Sequence, residues 1–223
     1  MNIRDVTRYK TLVFDCDGVI LNSNQVKTDA FYNAALPYGE VLAEQLVDYH
    51  VNHGGISRYT KLEYFLKNIV PKDILAKESF ESQLKALLTT YAQLVHQGLL
   101  ECEVASGLEE LRKLTPNTKW LIVSGGDQAE LNEIFLKRKL SYLFDGGIYG
   151  SPDTKDEILS REIKNGNITL PALFLGDSKY DYEAASKANL DFIFLSGWSE
   201  VADWKEWCMN NHILQLLNLA ELI

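Results

Sequence analysis

The chain contains 223 residues, of which 46% are hydrophobic and 24% are charged. This composition is typical of a soluble globular protein, and the length predicts one large domain or one domain with an insertion. The formal net charge of −9 argues against a nucleic-acid partner, which would favour a basic surface. No apolar run approaches the roughly 20 residues that span a bilayer, so we expect no membrane partner and a cytoplasmic location. The three cysteines are widely spaced and predict neither a disulfide framework nor a zinc site.

Short apolar runs alternate with helical patterns along much of the chain. Four of these runs, each followed by small or acidic residues, occupy 11–14, 120–123, 172–175 and 191–195. Nearly continuous apolar runs predict strands that are buried on both faces. Helical patterns cover 107–114, 128–140, 155–164 and 181–188. The alternation predicts an α/β fold with a doubly wound parallel sheet, in which ligands bind beyond the carboxyl ends of the strands.

One long segment interrupts this alternation. From 23 to 97 the pattern is mostly helical, with helices predicted over 25–35, 38–53, 58–69 and 79–96. Proline and glycine separate these helices, at Pro37, Gly54-Gly55 and Pro71. We therefore expect a helical domain at 23–97 that is inserted into an α/β core formed by 1–22 and 98–223.

Two carboxylates leave the first predicted strand together. Asp15 and Asp17 are separated by one residue, and Gly18 allows a sharp turn directly after them. Two carboxylates in one crevice can divide the work of a nucleophile and of a group that gives and takes a proton. Taken alone, such a pair is equally well explained as part of a turn or a helix cap.

A second acidic pair follows the strand predicted at 172–175. Asp177 and Asp181 would bring four carboxylates to one edge of the sheet, where they cannot all ionise without a cation. Oxygen ligands with open positions suit Mg²⁺, so the sequence predicts a magnesium site. Asp181 is alternatively placed to cap the helix that would start at Tyr182.

Two further segments indicate anion binding. Ser124, Gly125 and Gly126 follow the strand at 120–123, and a hydroxyl with backbone N–H groups at a strand-to-helix turn can hold an anion. The same residues are also ordinary turn chemistry. Lys155 opens a predicted helix, although a cation is unfavourable beside a helix N-terminus. A phosphate or the carboxylate of Asp15 would account for its position; a solvated surface lysine is the alternative.

The order of these motifs, each at its own strand end, resembles the haloacid dehalogenase superfamily. The resemblance covers almost the whole chain, and its most specific segment is FDCDGVI at 14–20. The helical insertion is similar to the cap of the phosphoglycolate phosphatase and β-phosphoglucomutase branch. The resemblance implies a Mg²⁺-dependent phosphatase that hydrolyses a small phosphorylated metabolite, a sugar phosphate or a phosphorylated acid, through an aspartyl-phosphate.

The resemblance also implies roles for the four acidic residues. Asp15 would attack phosphorus and bind Mg²⁺. Asp17 would protonate the leaving oxygen and then activate water, with its backbone carbonyl on the metal. Asp177 would complete the metal site, and Asp181 would support it through water.

The remaining core residues follow from the same resemblance. Ser124 and Gly125 would hold the phosphoryl oxygens, and Lys155 would offset charge on the phosphoryl group and on Asp15. An acid at Asp17 argues against the dehalogenases and phosphonate hydrolases of the superfamily, which lack one there.

The insertion contains candidates for substrate recognition. GISR at 55–58 is similar to a segment of β-phosphoglucomutases in which the arginine grips the non-reacting phosphate. Ser57 and Arg58 are therefore candidate substrate-binding residues; the alternative is a helix N-cap at Ser57 with Arg58 in solvent. Lys27 lies where the mutases tend to place a cap histidine, which favours a phosphatase, and it is also placed to meet an anionic substrate. His50 and His53 receive no role.

Two alternatives to a phosphatase stay open. A sugar-phosphate mutase would need a bisphosphate activator and would give an isomer of its substrate. A non-catalytic binding module would use the same fold without turnover. The oligomeric state is expected to be a monomer or a homodimer. A response-regulator receiver domain is excluded, because it is about half as long and has no helical insertion after its first strand.

Overall fold

The molecule is built around one parallel sheet. The computed structural model describes residues 5–75 and 79–223. Six strands lie in the order β3-β2-β1-β4-β5-β6, and every neighbouring pair is parallel. Their bounds are β1 Thr11–Phe14, β2 Lys119–Asp127, β3 Ile148–Ser151, β4 Ala172–Gly176, β5 Asp191–Leu195 and β6 Leu214–Leu216. The predicted α/β fold with a parallel sheet is confirmed.

The sheet contains two strands that the apolar runs do not predict. β3 includes Gly150 and the half-buried Tyr149, so it lacks a continuous apolar run. β6 is a short strand at the sheet edge with an exposed residue, Gln215, at its centre. Edge position explains both omissions, because an edge strand need not be buried on both faces.

The part of the chain that follows residue 107 contributes the helices of the core. The helices that follow residue 107 are α6 Leu108–Leu114, α7 Gln128–Lys137, α8 Lys155–Lys164, α9 Lys179–Lys187 and α10 Trp204–Asn210. Both α8 and α9 begin with a capping box, formed by Thr154 with Glu157 and by Ser178 with Asp181. These caps satisfy backbone N–H groups that the first turn leaves free. Helix α9 therefore begins at Lys179, earlier than the predicted start at 181.

Among the described residues, five α-helices lie between β1 and α6, and we call residues 24–101, which contain them, the helical insertion. They are α1 Asn24–Ala35, α2 Glu40–Asn52, α3 Arg58–Tyr64, α4 Lys72–Leu75 and α5 Phe80–Glu101. A π-helical segment, Phe65–Ile69, continues α3. α5 continues past the predicted end of the inserted domain at 97, so the helix itself leads back to the core. We call the α/β part of the chain, 5–23 and 102–223, the core.

Alternate residues along the central strands pack into two separate hydrophobic clusters. On β1, Leu12 and Phe14 belong to the cluster that extends into the helical insertion, whereas Val13 belongs to the cluster on the opposite face. The same alternation holds on β2, where Trp120 and Ile122 face one way and Leu121 faces the other. Both faces of the central strands are thus covered, as the apolar runs predict. In the described ranges, no helix has the length and apolarity to cross a membrane.

Candidate active site

The register of the sheet brings two of the predicted motifs to one edge. Phe14 pairs with Ile122 of β2 and with Leu175 of β4, and the backbone N–H of Asp15 donates to the Leu175 carbonyl at 2.9 Å. Asp15 therefore leaves β1 between its two neighbouring strands. Asp177 follows β4 at the same edge. This is the position that parallel α/β sheets offer for ligands.

Asp15 is buried and holds contacts on both carboxylate oxygens. Oδ1 accepts a hydrogen bond from the backbone N–H of Cys16 at 2.7 Å, and Oδ2 lies 3.0 Å from the ammonium of Lys155. Burial raises the pKa of Asp15 to about 7, Lys155 opposes this, and the nearby carboxylates of Asp181 and Asp17 add to it. A buried carboxylate beside others is a group that a cation would stabilise in its ionised form.

Asp177 reaches the same place from β4. Its Oδ2 accepts a hydrogen bond from Asn24 of α1 at 2.8 Å, which joins the helical insertion to the acidic cluster. Burial raises the pKa of Asp177 well above its usual value, and the charges of Asp15 and Asp181 raise it further. Gly18 passes so close that a Cβ there would lie 2.0 Å from Asp177 Oδ2. The glycine is needed both for this approach and for its φ of +71°.

Asp181 is fully buried, and both of its carboxylate oxygens are occupied. Oδ2 accepts from the Ser178 hydroxyl at 2.6 Å and from the Ser178 N–H at 3.0 Å, while Oδ1 pairs with Lys155. Asp181 therefore does cap a helix, α9. Lys155 lies between Asp15 and Asp181 with its side chain inaccessible to solvent. A solvated surface position for Lys155 was the alternative expectation, and it is wrong.

The donor set fits a small divalent cation. One carboxylate oxygen from each of Asp15, Asp177 and Asp181 lies within 4.8 Å of the others, and all three residues are buried. Hard carboxylate oxygens of this kind suit Mg²⁺. Both carboxylate oxygens of Asp181 already bond Ser178 or Lys155, whereas the side-chain hydrogen bond to Asp177, from Asn24, reaches only Oδ2 among the described residues. Asp177 is therefore better placed than Asp181 as a direct ligand.

Asp17 faces the helical insertion. Its Oδ1 accepts from the Ser23 hydroxyl at 2.6 Å, and its Oδ2 forms an ion pair with the ammonium of Lys27 on α1. Burial alone would raise the pKa of Asp17, but Lys27 and Ser23 outweigh it and hold the pKa below its usual value. Lys27 thus contacts a predicted catalytic acid directly. From the sequence, Lys27 is expected to meet an anionic substrate and is a sign of a phosphatase.

The Ser124 segment differs from the expected strand-to-helix turn. β2 continues through Ser124 and Gly125 to Asp127, with a register irregularity between Val123 and Asp127. The predicted turn is therefore an irregular continuation of β2, and α7 begins at Gln128, as predicted, with Asp127 at its N-cap. Ser124 is buried, and its hydroxyl accepts from the Gly126 N–H at 3.0 Å.

The helical insertion closes over this segment. A Cβ on Gly125 would lie only 2.2 Å from the carbonyl oxygen of Gly55, in the loop between α2 and α3. A Cβ on Gly55 would in turn lie 2.9 Å from the Ser178 hydroxyl. Glycine at both positions permits this close approach of backbone to backbone.

Arg58 is buried and paired with the core. One guanidinium nitrogen lies 3.0 and 3.1 Å from the two carboxylate oxygens of Glu130, and the other lies 3.6 Å from Asp127. The predicted alternative with Arg58 in solvent is wrong. Its companion expectation, an N-cap at Ser57, is confirmed, because the Ser57 hydroxyl accepts from the Thr60 N–H at 3.4 Å.

Several of the site residues line a cavity between the core and the helical insertion. It offers about 60 Å³ to the centres of water-sized molecules. Its lining includes Asp15, Asp17, Asp177, Gly125 and Arg58 from the predicted site residues. The other predicted site residues, Ser57, Ser124, Lys155 and Asp181, are not part of the lining.

The lining also contains residues to which the sequence assigned no role. His50 of α2 and Lys61 of α3 are buried there, and Glu200 follows β5. Helical spacing is the signal that finds both insertion residues: Ala43, Leu46 and His50 lie on the buried face of α2. Arg58, Lys61 and Leu62 share the buried face of α3 in the same way.

A family model and solved structures match this chain. The model of haloacid dehalogenase-like hydrolases matches residues 12–195. The chain therefore belongs to the haloacid dehalogenase-like hydrolase family, and the predicted family and hydrolase class are confirmed. A search of the curated proteins found no match.

Three similar structures illustrate the fold. A predicted phosphatase from Clostridium acetobutylicum is 19% identical with a TM-score of 0.70, and 96% of each chain is covered. A predicted phosphoglycolate phosphatase from Haemophilus somnus is 18% identical with a TM-score of 0.65, covering 86% of this chain and 87% of that one. A β-phosphoglucomutase from Clostridium difficile is 19% identical with a TM-score of 0.69, covering 96% and 93%. At these identities the similarity establishes the fold alone.

Proposed function

We propose that this chain is a Mg²⁺-dependent phosphatase that hydrolyses a small phosphorylated metabolite through an aspartyl-phosphate on Asp15. The observation that carries the proposal is the buried convergence of Asp15, Asp177 and Asp181, with Lys155 bonded to two of them. The family supports a hydrolase, and the names of the similar structures support a phosphatase. The small cavity supports a small substrate.

In this proposal most of the metal ligands come from the acidic cluster. The carboxylates of Asp15 and Asp177 and the backbone carbonyl of Asp17 would hold Mg²⁺, and Asp181 would support the site. When bound, the ion would neutralise charge on the carboxylates and on the phosphoryl oxygens, which is the main requirement of phosphoryl transfer.

The residues of the chain supply the covalent chemistry. A carboxylate oxygen of Asp15 forms a bond to phosphorus while the bond from phosphorus to the leaving oxygen breaks, and the protonated form of Asp17 gives that oxygen a proton. Because Lys27 favours the ionised form of Asp17, this step requires that the ion pair between them opens when substrate binds. Asp17 then takes a proton from the water that attacks the phosphorus and frees Asp15. Lys155, 3.0 Å from Asp15, offsets negative charge throughout. Ser124 and Gly125 would hold the phosphoryl oxygens.

Phosphate release from a panel of phosphate esters tests the proposal, with Mg²⁺ and with chelator. We expect metal-dependent release that falls by about 10³-fold or more in Asp15→Asn, since that change removes the nucleophile. Asp29→Asn is the matched control, because Asp29 is exposed on α1 and bonds only Gln25 among the contacts of its carboxylate. Undiminished release by Asp15→Asn would contradict the assigned nucleophile.

The same assay separates the alternatives. A sugar-phosphate mutase would convert its substrate to an isomer when a bisphosphate activator is added, without accumulating phosphate. A non-catalytic module would bind phosphate esters without turning over any of them. Either outcome would replace the phosphatase proposal.

A further inference from the structure

One cation in the cavity differs from the others in lacking a carboxylate partner. Lys27 pairs with Asp17, Arg58 pairs with Glu130 and Asp127, and Lys155, behind the lining, pairs with Asp15 and Asp181. Among residues 5–75 and 79–223, no carboxylate oxygen lies within 4 Å of the Lys61 ammonium. Only 2% of Lys61 is exposed, so bulk solvent gives its charge little stabilisation. A buried ammonium without an anion is costly unless something else stabilises its charge.

The polar contacts of Lys61 are made with a histidine, and its Nζ also lies 5.7 Å from the centre of the Phe31 ring. Its Nζ lies 2.7 Å from His50 Nδ1 and 3.3 Å from the His50 carbonyl oxygen. Burial lowers the pKa of His50 to about 2, and the charges of Lys61 and Lys27 lower it further. The ring is therefore neutral, so Nδ1 accepts a hydrogen bond from the Lys61 ammonium and the ring's own hydrogen lies on Nε2.

His50 Nε2 is itself a donor without a partner. It is buried and makes no hydrogen bond among the described residues, while His50 as a whole is 7% exposed. The nearest carboxylate oxygen, from Glu200, is 3.9 Å away, which is too long for a hydrogen bond. Glu200 accepts instead from the Thr28 hydroxyl at 2.8 Å. Buried donors without partners are rare, and each one calls for an explanation.

Lys61 and His50 line the same cavity as Asp15. We propose that Lys61 and His50 form a binding site for a second anionic group, at the end of the substrate that does not react. This inference rests on the proposed phosphatase function and names its substrate class: a small phosphate ester that carries a distal carboxylate or a distal phosphate. The anion would supply the missing partner of Lys61 and an acceptor for His50 Nε2.

The structure favours this pair over Arg58 for distal recognition. The guanidinium of Arg58 is already neutralised by two carboxylates of the core, so it offers little net charge to a ligand. Burial lowers the pKa of Lys61 to about 7, in agreement with an ammonium that lacks a counter-ion. An anion beside it would favour the charged form and would bind more tightly for that reason.

Two matched pairs of substrates test the proposal. The first pair is propyl phosphate and 3-phosphooxypropanoate, which differ in a terminal carboxylate. The second is propane-1,3-diol monophosphate and its bisphosphate, which differ in a terminal phosphate. We expect the wild-type enzyme to show a lower KM for the anionic member of at least one pair, and the preferred pair identifies the group.

Lys61→Met then removes the ammonium while keeping a long side chain. Because this variant loses a charge-assisted hydrogen bond to the ester, we expect the KM for the preferred anionic ester to rise about 10-fold or more. The KM for its neutral-ended partner and both kcat values should change by less than about 2-fold. Lys67→Met is the matched control, because Lys67 is exposed, its ion pair with Glu63 lies on the surface and its contact with the Phe80 ring lies outside the cavity.

The outcomes separate this proposal from the phosphatase proposal. The distal site would be overturned, and the phosphatase proposal left intact, by either of two results. In one, Lys61→Met raises the KM equally for both members of a pair; in the other, the wild-type enzyme shows no preference for an anionic end. If wild type hydrolyses none of the four esters, the phosphatase proposal fails on these substrates. Binding of the same esters, measured by calorimetry, then decides the distal site: a preference lost in Lys61→Met supports it, and equal or absent binding rejects it.

Discussion

The core and the helical insertion both place charged side chains in the cavity, but they neutralise those charges differently. In the core, Lys155 forms ion pairs with both Asp15 and Asp181. In the insertion, Lys61 bonds a neutral histidine and has no carboxylate within ion-pair distance over the described residues. An acidic cluster that contains a built-in cation and can hold a metal ion suits chemistry common to a family, whereas a cation without a carboxylate partner suits recognition of a particular ligand. The comparison therefore separates reaction from specificity.

The contact that holds the two regions together gives the largest expected change. Arg58→Met would leave Glu130 and Asp127 without their buried cation, and losing one partner of a buried pair costs about 3–5 kcal/mol. We expect the free energy of unfolding to fall by that amount in urea denaturation. The exposed pair of Lys67 with Glu63 is the control, since Lys67→Met should cost under about 1 kcal/mol. Equal effects would mean that burial gives Arg58 no special weight.

The core can be disturbed without touching the insertion. Gly18→Ala would place a Cβ 2.0 Å from Asp177 Oδ2, so we expect phosphate release to fall about 100-fold or more from displacement of the acidic cluster. Gly166→Ala is the matched control, because Gly166 has a φ of +73° and no atom within 4 Å of its added Cβ. Both variants share the backbone strain, and only Gly18→Ala adds the clash. Similar losses in the two would assign the effect to strain.

The unpaired cation of the insertion predicts a pH dependence of stability. Burial lowers the pKa of Lys61 from 10.5 to about 7, so between these values the unfolded state binds more protons than the folded state. Stability therefore rises with pH in this window, and the cost of burying the ammonium is fully present below pH 7. The charged groups that act on Lys61 are Lys27, Glu200, Asp17 and Lys155, with the neutral His50 in contact.

Comparison of wild type with Lys61→Met isolates this contribution. The unfolding free energy of wild type minus that of Lys61→Met should increase by about 2 kcal/mol between pH 7 and pH 9, at about 1.4 kcal/mol per pH unit for one proton. Denaturation in urea at several pH values measures it. A flat difference would show that Lys61 keeps its charge in the folded protein without a ligand.

The smallest expected effect concerns the contact of the Gly55 loop with the core. Gly125→Ala would place a Cβ 2.2 Å from the Gly55 carbonyl oxygen and would hold the insertion away from the Ser124 segment. We expect kcat/KM to fall about 10-fold, since closure over the substrate excludes water and completes the site. Gly54→Ala is the control, because its nearest contact is the Ser178 Cβ at 3.3 Å. Unchanged kinetics in Gly125→Ala would argue that turnover does not need this approach.

Local pattern was sufficient for the central strands and for the acidic motifs at their ends. Apolar runs predicted β1, β4 and β5, because strands buried on both faces need such runs. Once the sheet is parallel, Asp15 and Asp177 must lie at one edge, and the order of the motifs then sufficed to identify the family. Pattern failed at the Ser124 segment, where small residues that resemble a turn continue β2 as an irregular strand.

The sequence by itself therefore determined the α/β fold and the family, since the spacing of apolar runs and the order of motifs are properties of the chain. Only the tertiary structure decided the partners of the charged residues in the cavity. Arg58 meets Glu130 from 72 residues away, and Lys61 meets His50 from a neighbouring helix. Helix packing brings those side chains together, and no local pattern records which charges end up paired or which one is left without an anion.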